Sequence, residues 1–225
     1  MQLSANLLLN RFDWAQQKTN DIISQYYKNN EAVFYDVGAG ENSLATKLGN
    51  KTALACSFDL LPFDDNIQQW NIETNFSYDY PAANIVTLLE VVEHLTNPWL
   101  CIKNISATMA PGGFLILTTP NPGWSTSRVS LMVKGFLTCF TQSDLDNNHH
   151  VFIAWPHILQ RLLNDNGFEI IEYVTLDGPT KFFSKDIKLS RFFLQFPARV
   201  IKKIIEKTDP TAMGMSYGII ARKID

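Results

Sequence analysis

Apolar and polar positions along this chain alternate with two periods, one suited to helices and one to strands. Between Trp14 and Lys28, the residues Trp14, Ile22, Ile23, Tyr26 and Tyr27 recur among polar neighbours, which predicts an amphipathic helix. Ala32 to Val37 is a short β-type run that ends at a glycine cluster. Ser43 to Leu48 predicts a short helix, Thr52 to Phe58 a second buried strand and Asn84 to Leu89 a third. Helical sequence starts at Val91 and resumes from Pro98 to Met109, before a Pro111-Gly112-Gly113 turn and a fourth strand, Phe114 to Thr119. Pro120 to His150 reads as a long irregular stretch. Pro156 to Asn164 returns to helix with Gly167 as its stop signal, and Phe168 to Thr175 and Tyr217 to Arg222 read as the last strands. Strands alternating with helices predict an α/β fold, a parallel doubly wound sheet with helices on both faces.

Composition narrows the class. The chain has 225 residues, is 46% hydrophobic and 18% charged, and carries a formal net charge of −3. That length suits a single domain, 1–225, large enough to bury roughly 70–75% of its unfolded surface without a disulfide or metal staple. High apolar content with little net charge excludes disorder as the main character. The longest apolar runs fall far short of a membrane span, and Met1 to Asn10 lacks the basic start of a secretory leader. Cys56, Cys101 and Cys139 are odd in number with no C-x-x-C spacing, the pattern of reduced thiols in a cytoplasmic protein.

The segment richest in chemistry is Asp36-Val37-Gly38-Ala39-Gly40-Glu41-Asn42, directly after a predicted strand. Glycines there allow a tight turn and close approach of a ligand, and the next helix offers its N-terminus. Asp59 follows Gly40 by 19 residues at the end of the next strand, where an acid can accept both hydroxyls of a ribose. An acid two residues before the first glycine disfavours a pyrophosphate and favours a cationic ligand bearing an amine and a sulfonium. This pattern resembles the first motif of the class I S-adenosylmethionine-dependent methyltransferases, D/E-x-G-x-G-x-G, with Asn42 in place of the third glycine.

The resemblance continues in order along the chain, through Trp70-Asn71-Ile72-Glu73, Ile85 to Leu95, Ala110 to Pro122, His150 to Leu159 and Gly167-Phe168. It is nearest to the ubiquinone-biosynthesis type and related small-molecule O-methyltransferases. The resemblance implies a Rossmann-like seven-stranded sheet of order 3-2-1-4-5-7-6 with the last strand antiparallel. It also implies S-adenosylmethionine as cofactor. Gly38, Ala39 and Gly40 would line its methionine end, with Asp36 near the amine and Asp59 on the ribose. Leu60, Asn71 and Ile72 would flank the adenine, and Leu89 and Glu90 would close the site. For Leu60 and Ile72, plain core packing is an equal alternative.

Glu90, Glu93 and His94 are spaced i, i+3, i+4, so a helix starting after the third strand would put them on one face. A methyl acceptor must be positioned and relieved of a proton, for which histidine is suited near neutral pH. Three readings stand together. His94 or His150 is a general base; or Glu90, Glu93, His94 and His150 hold one divalent ion; or Glu93 and His94 only cap and orient the helix. The second rests on a resemblance of Glu-x-x-Glu-His plus a downstream histidine to magnesium-dependent members. His149 is expected to be a solvated neighbour of His150, and His157 a helix-surface residue.

Residues 121–150, with eight large apolar side chains and few turn signals, are expected to form a lid or binding element. So is the stretch 180–210. Within it, Lys181 to Lys207 holds eight Lys or Arg against Asp186 and Glu206, a basic run in an acidic chain. Helical cover with solvated lysines, peripheral contact with an anionic membrane surface, and contact with substrate phosphates are its open readings. The expected acceptor is a small, lipid-linked or sugar-linked metabolite methylated on oxygen. A terminal RNA 2′-hydroxyl is a less favoured alternative, because the aromatic residues look buried, not displayed for nucleic acid. A cofactor-binding scaffold without turnover is another alternative.

Overall fold

A computed structural model describes residues 4–5, 9–28, 30–41, 43–48, 51–178 and 189–224, with side chains left aside at 4–5 and 189–196. Asn42 and residues 181–188, on which part of the reading above falls, lie outside the described residues. The strands are β1 (Ser4–Ala5), β2 (Val33–Val37), β3 (Leu54–Asp59), β4 (Ile67–Gln69), β5 (Ala83–Leu89), β6 (Met109–Pro120), β7 (Phe168–Leu176) and β8 (Ser216–Lys223). The helices are α1 (Arg11–Tyr26), α2 (Leu44–Leu48), α3 (Pro98–Thr108), α4 (Ser125–Lys134), α5 (Gln142–Asn148), α6 (Pro156–Asn164) and α7 (Leu189–Thr208).

The strands form one sheet of order β1-β7-β8-β6-β5-β2-β3-β4. All neighbours run parallel except β8, which is antiparallel to both β6 and β7. Without the two-residue β1, this is the expected seven-stranded order 3-2-1-4-5-7-6 with the last strand antiparallel. β1 is an addition that extends the edge beside β7, and β4 is the seventh strand, missed in the hydrophobic pattern because three residues are too few to show a period.

Successive strand residues face opposite ways, and the two faces carry separate cores. On β2, Phe34 joins Trp14, Ile22 and Ile23 of α1 and Leu44 of α2 on one face. Tyr35 joins Ile102 and Ile105 of α3 and Leu159 and Leu163 of α6 on the other. Burying large side chains on both faces supplies the main stabilising force, on the order of 1.5–3 kcal/mol for each Leu, Ile or Phe fully removed from water.

Two expectations change near the site. The helix expected from Val91 is only a 3-10 turn, Val92–His94, so Glu90, Glu93 and His94 do not share an α-helical face. Pro98 explains this: it disfavours helix in the residue before it. The Asn97 side chain then accepts from Leu100 N to start α3 afresh. The stretch 120–150 is not irregular, since it contains α4 and α5. Thr141 and Asp144 close a reciprocal capping box at the start of α5, which holds a helix that buries none of its side chains.

Candidate active site

The C-terminal ends of β2, β3 and β5 open onto a cavity of about 350 Å³ bordered by Val37, Gly38, Asp59, Leu60, Trp70, Asn71, Ile72, Glu73, Glu90, Val91, His94 and Leu95. That is the place where a doubly wound sheet binds ligands, at its reversal of strand order. Six of the ten residues expected to bind the cofactor line it: Gly38, Asp59, Leu60, Asn71, Ile72 and Glu90.

The glycine loop is pinned to the neighbouring strand. Gly38 N and Ala39 N both donate to Phe58 O, at 2.8 and 3.1 Å. Gly40 N donates to Asp59 Oδ2 at 2.9 Å and Leu61 N to Asp59 Oδ1 at 3.0 Å. Gly38 and Gly40 both hold left-handed backbone, with φ of 72° and 52°, which a side chain opposes. Their surroundings differ. A Cβ on Gly38 would meet Val91 Cγ2 at 2.2 Å, whereas nothing lies within 4 Å of one on Gly40. Gly38 is therefore needed for protein packing, and Gly40 leaves open space beside the Asp59 carboxylate.

Asp36 and Leu89 sit differently from expectation. Asp36 is buried, and its carboxylate accepts from Ser43 Oγ (2.8 Å), Leu44 N (2.6 Å) and Thr87 Oγ1 (2.6 Å). It does not border the cavity; it ties β2 to β5 and to the start of α2. Burial pushes its carboxyl up from the ordinary range, and these three donors oppose that. Leu89 belongs to the core on the α1 face, because the strand alternation points it away from the cavity. Ile72 serves both the core and the cavity, while Leu60 is exposed at its lip.

A second cavity, of about 330 Å³, adjoins the first and shares Glu90 and His94 with it. Arg11, Phe12, Glu93, Pro120, Cys139, Asn148, His150, Met215 and Ser216 complete its wall. Glu90 stands between the two with a left-handed φ of 55°, held by its N–H donating to Thr118 O at 3.0 Å. A non-glycine residue there is strained, a feature that concentrates at functional sites. Glu90 Oε2 lies 3.4 Å from Arg11 Nε, and Glu90 Oε1 is buried without a hydrogen-bond partner. Arg11 also donates to Asp177 Oδ2 and Ser216 Oγ. Nothing in the residue pattern marked Arg11, because its partners lie far along the chain.

The histidines reach each other through a backbone splice. Val151 N and Phe152 N both donate to Glu93 O, at 2.9 and 3.0 Å, docking the segment after α5 onto the 3-10 turn. The His94 and His150 rings then stand 4.8 Å apart at 72°. His94 Nδ1 is 2.5 Å from Asn148 O, and His150 Nδ1 is 2.5 Å from Cys139 O. A carbonyl oxygen can only accept, so each Nδ1 carries a proton, and a ring in its neutral form has its lone pair on Nε2. Desolvation lowers the His94 pKa, favouring the neutral ring.

Glu93 is buried and accepts from Thr119 Oγ1 at 3.0 Å. Burial first, and then the Glu90 charge, raise its carboxyl well above the ordinary range. Glu90 is raised as well by burial, against the pull of Arg11. One ligand atom each from Glu93, His94 and His150 lie within 4.8 Å of one another. Glu90, expected as a fourth member, is outside that group; its carboxylate is paired with Arg11. His149 and His157 are exposed, as expected.

A model of the methyltransferase domain family matches residues 13–173. The chain belongs to this family. It is an S-adenosylmethionine-dependent methyltransferase, and that membership implies S-adenosylmethionine as the methyl donor. Solved structures agree on the fold. A SAM-dependent methyltransferase from Archaeoglobus fulgidus is 18% identical over 95% of each chain, with a TM-score of 0.60. A putative methyltransferase from Bacillus halodurans is 16% identical over 93% of this chain and 99% of that one, with a TM-score of 0.56. A putative methyltransferase from Haloferax volcanii, solved in complex with the Trm112 methyltransferase activator, is 11% identical over 95% and 92%, with a TM-score of 0.55. No curated protein matches the sequence. Among the described residues, no helix is long and apolar enough to cross a membrane.

The residues fit the methyltransferase cofactor. Gly40 faces open space, Asp59 offers a carboxylate at the cavity lip, and Trp70, Ile72 and Leu95 give an apolar wall suited to a base. Glu90, whose Oε1 is buried without a hydrogen-bond partner, borders both cavities.

Proposed function

We propose that this methyltransferase acts on a hydroxyl oxygen of a small, lipid-linked or sugar-linked metabolite held in the second cavity, in the manner of the ubiquinone-biosynthesis type. S-adenosylmethionine supplies an electrophilic methyl carbon on a positive sulfur. The chain's own tasks are to hold that group, aim the acceptor oxygen and take its proton. Gly38, Ala39 and Gly40 form the cradle, Asp59 accepts from the ribose hydroxyls, and Leu60, Asn71 and Ile72 border the adenine. Asp36 acts indirectly, by keeping the loop and α2 in place. Glu90 and His94 border both cavities.

The observation that carries the reading is the pair of imidazoles with both Nδ1 atoms committed to backbone carbonyls. Each leaves an Nε2 lone pair to receive a proton from an acceptor hydroxyl, and a base of this kind is worth typically 10²–10⁴-fold in rate. The test is transfer of labelled methyl groups to panels of phenols, sugars, lipid-linked alcohols and short RNA, with His94→Ala and His150→Ala beside the native protein. Methylation of a hydroxyl that loses its imidazole-like ionisation in one variant supports the proposal. Turnover only on nitrogen or carbon overturns the oxygen assignment. Turnover confined to RNA ends selects the 2′-hydroxyl alternative, and cofactor binding with no turnover selects a scaffold.

A second reading is favoured by the convergence of Glu93, His94 and His150 within 4.8 Å. Mixed carboxylate and imidazole donors suit Mg, Mn or Zn, and an ion there would lower the pKa of an acceptor hydroxyl. Two imidazole nitrogens and a carboxylate are a donor set that can hold a cation, which would displace the proton that burial favours on Glu93. Loss of activity on chelation, its return with one divalent ion and its absence in Glu93→Gln support this reading. Full activity in chelator leaves the base alone.

A further inference from the structure

α4 ends in an unusual way for a helix of a folded enzyme. Leu131, Met132, Val133, Lys134, Gly135 and Phe136 are exposed in unbroken succession, with Met132 at 69% and Val133 at 70%. At 3.6 residues per turn, Leu131, Met132 and Val133 spread over about 200° around the axis, so their side chains do not form one narrow stripe. A surface helix normally shows one apolar stripe turned inward, and runs of exposed apolar residues are otherwise avoided. The rest of α4 is well anchored, with Ser125, Ser127 and Ser130 buried. The exposed end is therefore a projecting tip.

α7 lies against α4. Ser125 Oγ donates to Glu206 Oε1 at 2.7 Å, Arg128 pairs with Asp209, and Lys202 Nζ sits 5.8 Å over the Trp124 ring. The outer side of α7 carries Val200, Lys203, Ile204 and Lys207, all exposed, with Ile204 at 57%. Charge on this pair of helices opposes that of the chain. α4 holds Arg128 and Lys134 and no acid, and α7 from Pro197 onward holds Arg199, Lys202, Lys203 and Lys207 against Glu206. The whole chain is −3.

We infer that the α4 tip, together with the outer side of α7, docks on an anionic lipid bilayer. A bilayer interface deforms around side chains that point in several directions, and lysine stems reach past the apolar layer to lipid phosphates. A folded protein partner would instead need a socket around the tip, and nothing in the charge pattern calls for one. Positive residues beside apolar ones match a negatively charged leaflet, each contributing on the order of fivefold in partitioning. In sequence, α4 is followed by the segment that reaches the second cavity through Cys139, Asn148 and His150. The inference does not depend on the acceptor's identity, because lipid binding is read without turnover.

The experiment is co-sedimentation of the full chain with vesicles of phosphatidylcholine alone and of phosphatidylcholine with about one-third phosphatidylglycerol. Sedimentation at least tenfold stronger with the anionic vesicles, weakening as salt rises, is expected. The double variant Met132→Glu with Val133→Glu should lose at least roughly tenfold, and Lys203→Glu with Lys207→Glu at least roughly fivefold for each charge. All these side chains are exposed, and an unchanged melting temperature verifies that the fold is kept. Failure of the native chain to bind either vesicle overturns the inference. So does equal, salt-independent binding to both, or binding that both double variants retain. Self-association in sedimentation velocity that Met132→Glu with Val133→Glu abolishes, without any vesicle binding, would assign the surface to a second copy of the chain and overturn the lipid assignment.

Discussion

The two cavities share Glu90 and His94 and are nearly equal in size, yet they are built in opposite ways. The cavity proposed for the cofactor consists of strand ends and the loops that directly follow them, with Gly38 to Gly40 bonded to Phe58 and Asp59 of the adjacent parallel strand. Its geometry is a property of the sheet. The cavity proposed for the acceptor is assembled from Arg11 at the start of α1, the 3-10 turn after β5, the segment 139–150 and residues 215–216. Few of these are neighbours in sequence, and they are joined by single backbone bonds and ion pairs. The first kind of site tolerates little change in its backbone, which suits the group common to the family. The second can vary piece by piece, which suits the part of an enzyme that selects its acceptor.

The largest effect should come from Gly38→Val. A β-branched side chain at φ 72°, meeting Val91 at once, forces the loop off Phe58. Loss of more than about 3 kcal/mol of stability is expected, with at least roughly hundredfold weaker binding of S-adenosylhomocysteine by calorimetry. Gly40→Ala is its control. With open space there, it should cost only about 1–2 kcal/mol, the ordinary penalty of left-handed backbone. Equal damage from both changes would contradict the division of roles between these glycines.

Asp59→Ala comes next. It removes the charged acceptor proposed for the ribose, a loss on the order of 1.5–3 kcal/mol, so affinity for S-adenosylhomocysteine should fall at least about tenfold. The sheet should survive, although Gly40 N and Leu61 N lose their partner. Unchanged calorimetric affinity would remove Asp59 from the cofactor site.

On the acceptor side the effects should be on pH dependence. The Glu93 carboxyl is raised above its ordinary 4.5, chiefly by burial. The folded state therefore binds a proton that the unfolded state releases, and stability falls as pH rises from that ordinary value through the raised one. Glu93→Gln keeps an acceptor for Thr119 and cannot ionise. Without divalent ions it should match the native chain below pH 4.5 and exceed it in alkaline buffer by about 1–2 kcal/mol, or roughly 2–8 °C in melting temperature. A native advantage at high pH would show that Glu93 is held ionised, as by a bound ion.

The smallest structural effects belong to the histidines. His94 is exposed and His150 half-buried, so replacement of either by Ala should cost about 1 kcal/mol or less. In His150→Ala, S-adenosylhomocysteine affinity should stay within about twofold, because His150 borders only the second cavity. A large loss of cofactor affinity in His150→Ala would show that the two cavities are not separable.

Much of the cofactor side was legible because local rules govern it. Strand runs ending in a glycine loop, and an acid at the end of the next strand, are adjacent in sequence and need only a parallel pairing to become a site. The α6 bounds came from such local signals, whereas the sheet order and the grouping of Leu60, Asn71, Ile72 and Glu90 with Gly38 and Asp59, all of which border one cavity, were implied by the resemblance. Periodicity could not reveal β4, with three residues, nor α5, which buries no side chain and is held by its capping box. Asp36 read as a ligand contact because its offset from the glycines suggested one. The fold instead surrounds it with Ser43, Leu44 and Thr87, two of them on the same short helix entry and the third on a neighbouring strand.

By itself, the sequence determined the doubly wound sheet and the family, because hydrophobic period and turn chemistry act over a few residues and recur in order. Only the tertiary structure decided that Glu93, His94 and His150 meet while Glu90 pairs with Arg11. The spacing of Glu90, Glu93 and His94 suggested an α-helical face, but Asn97 and Pro98 start α3 afresh and leave only a turn. The cluster forms instead because Val151 and Phe152 donate to the Glu93 carbonyl. Bonds of that kind link backbone groups that every residue carries, so no side-chain pattern announces them.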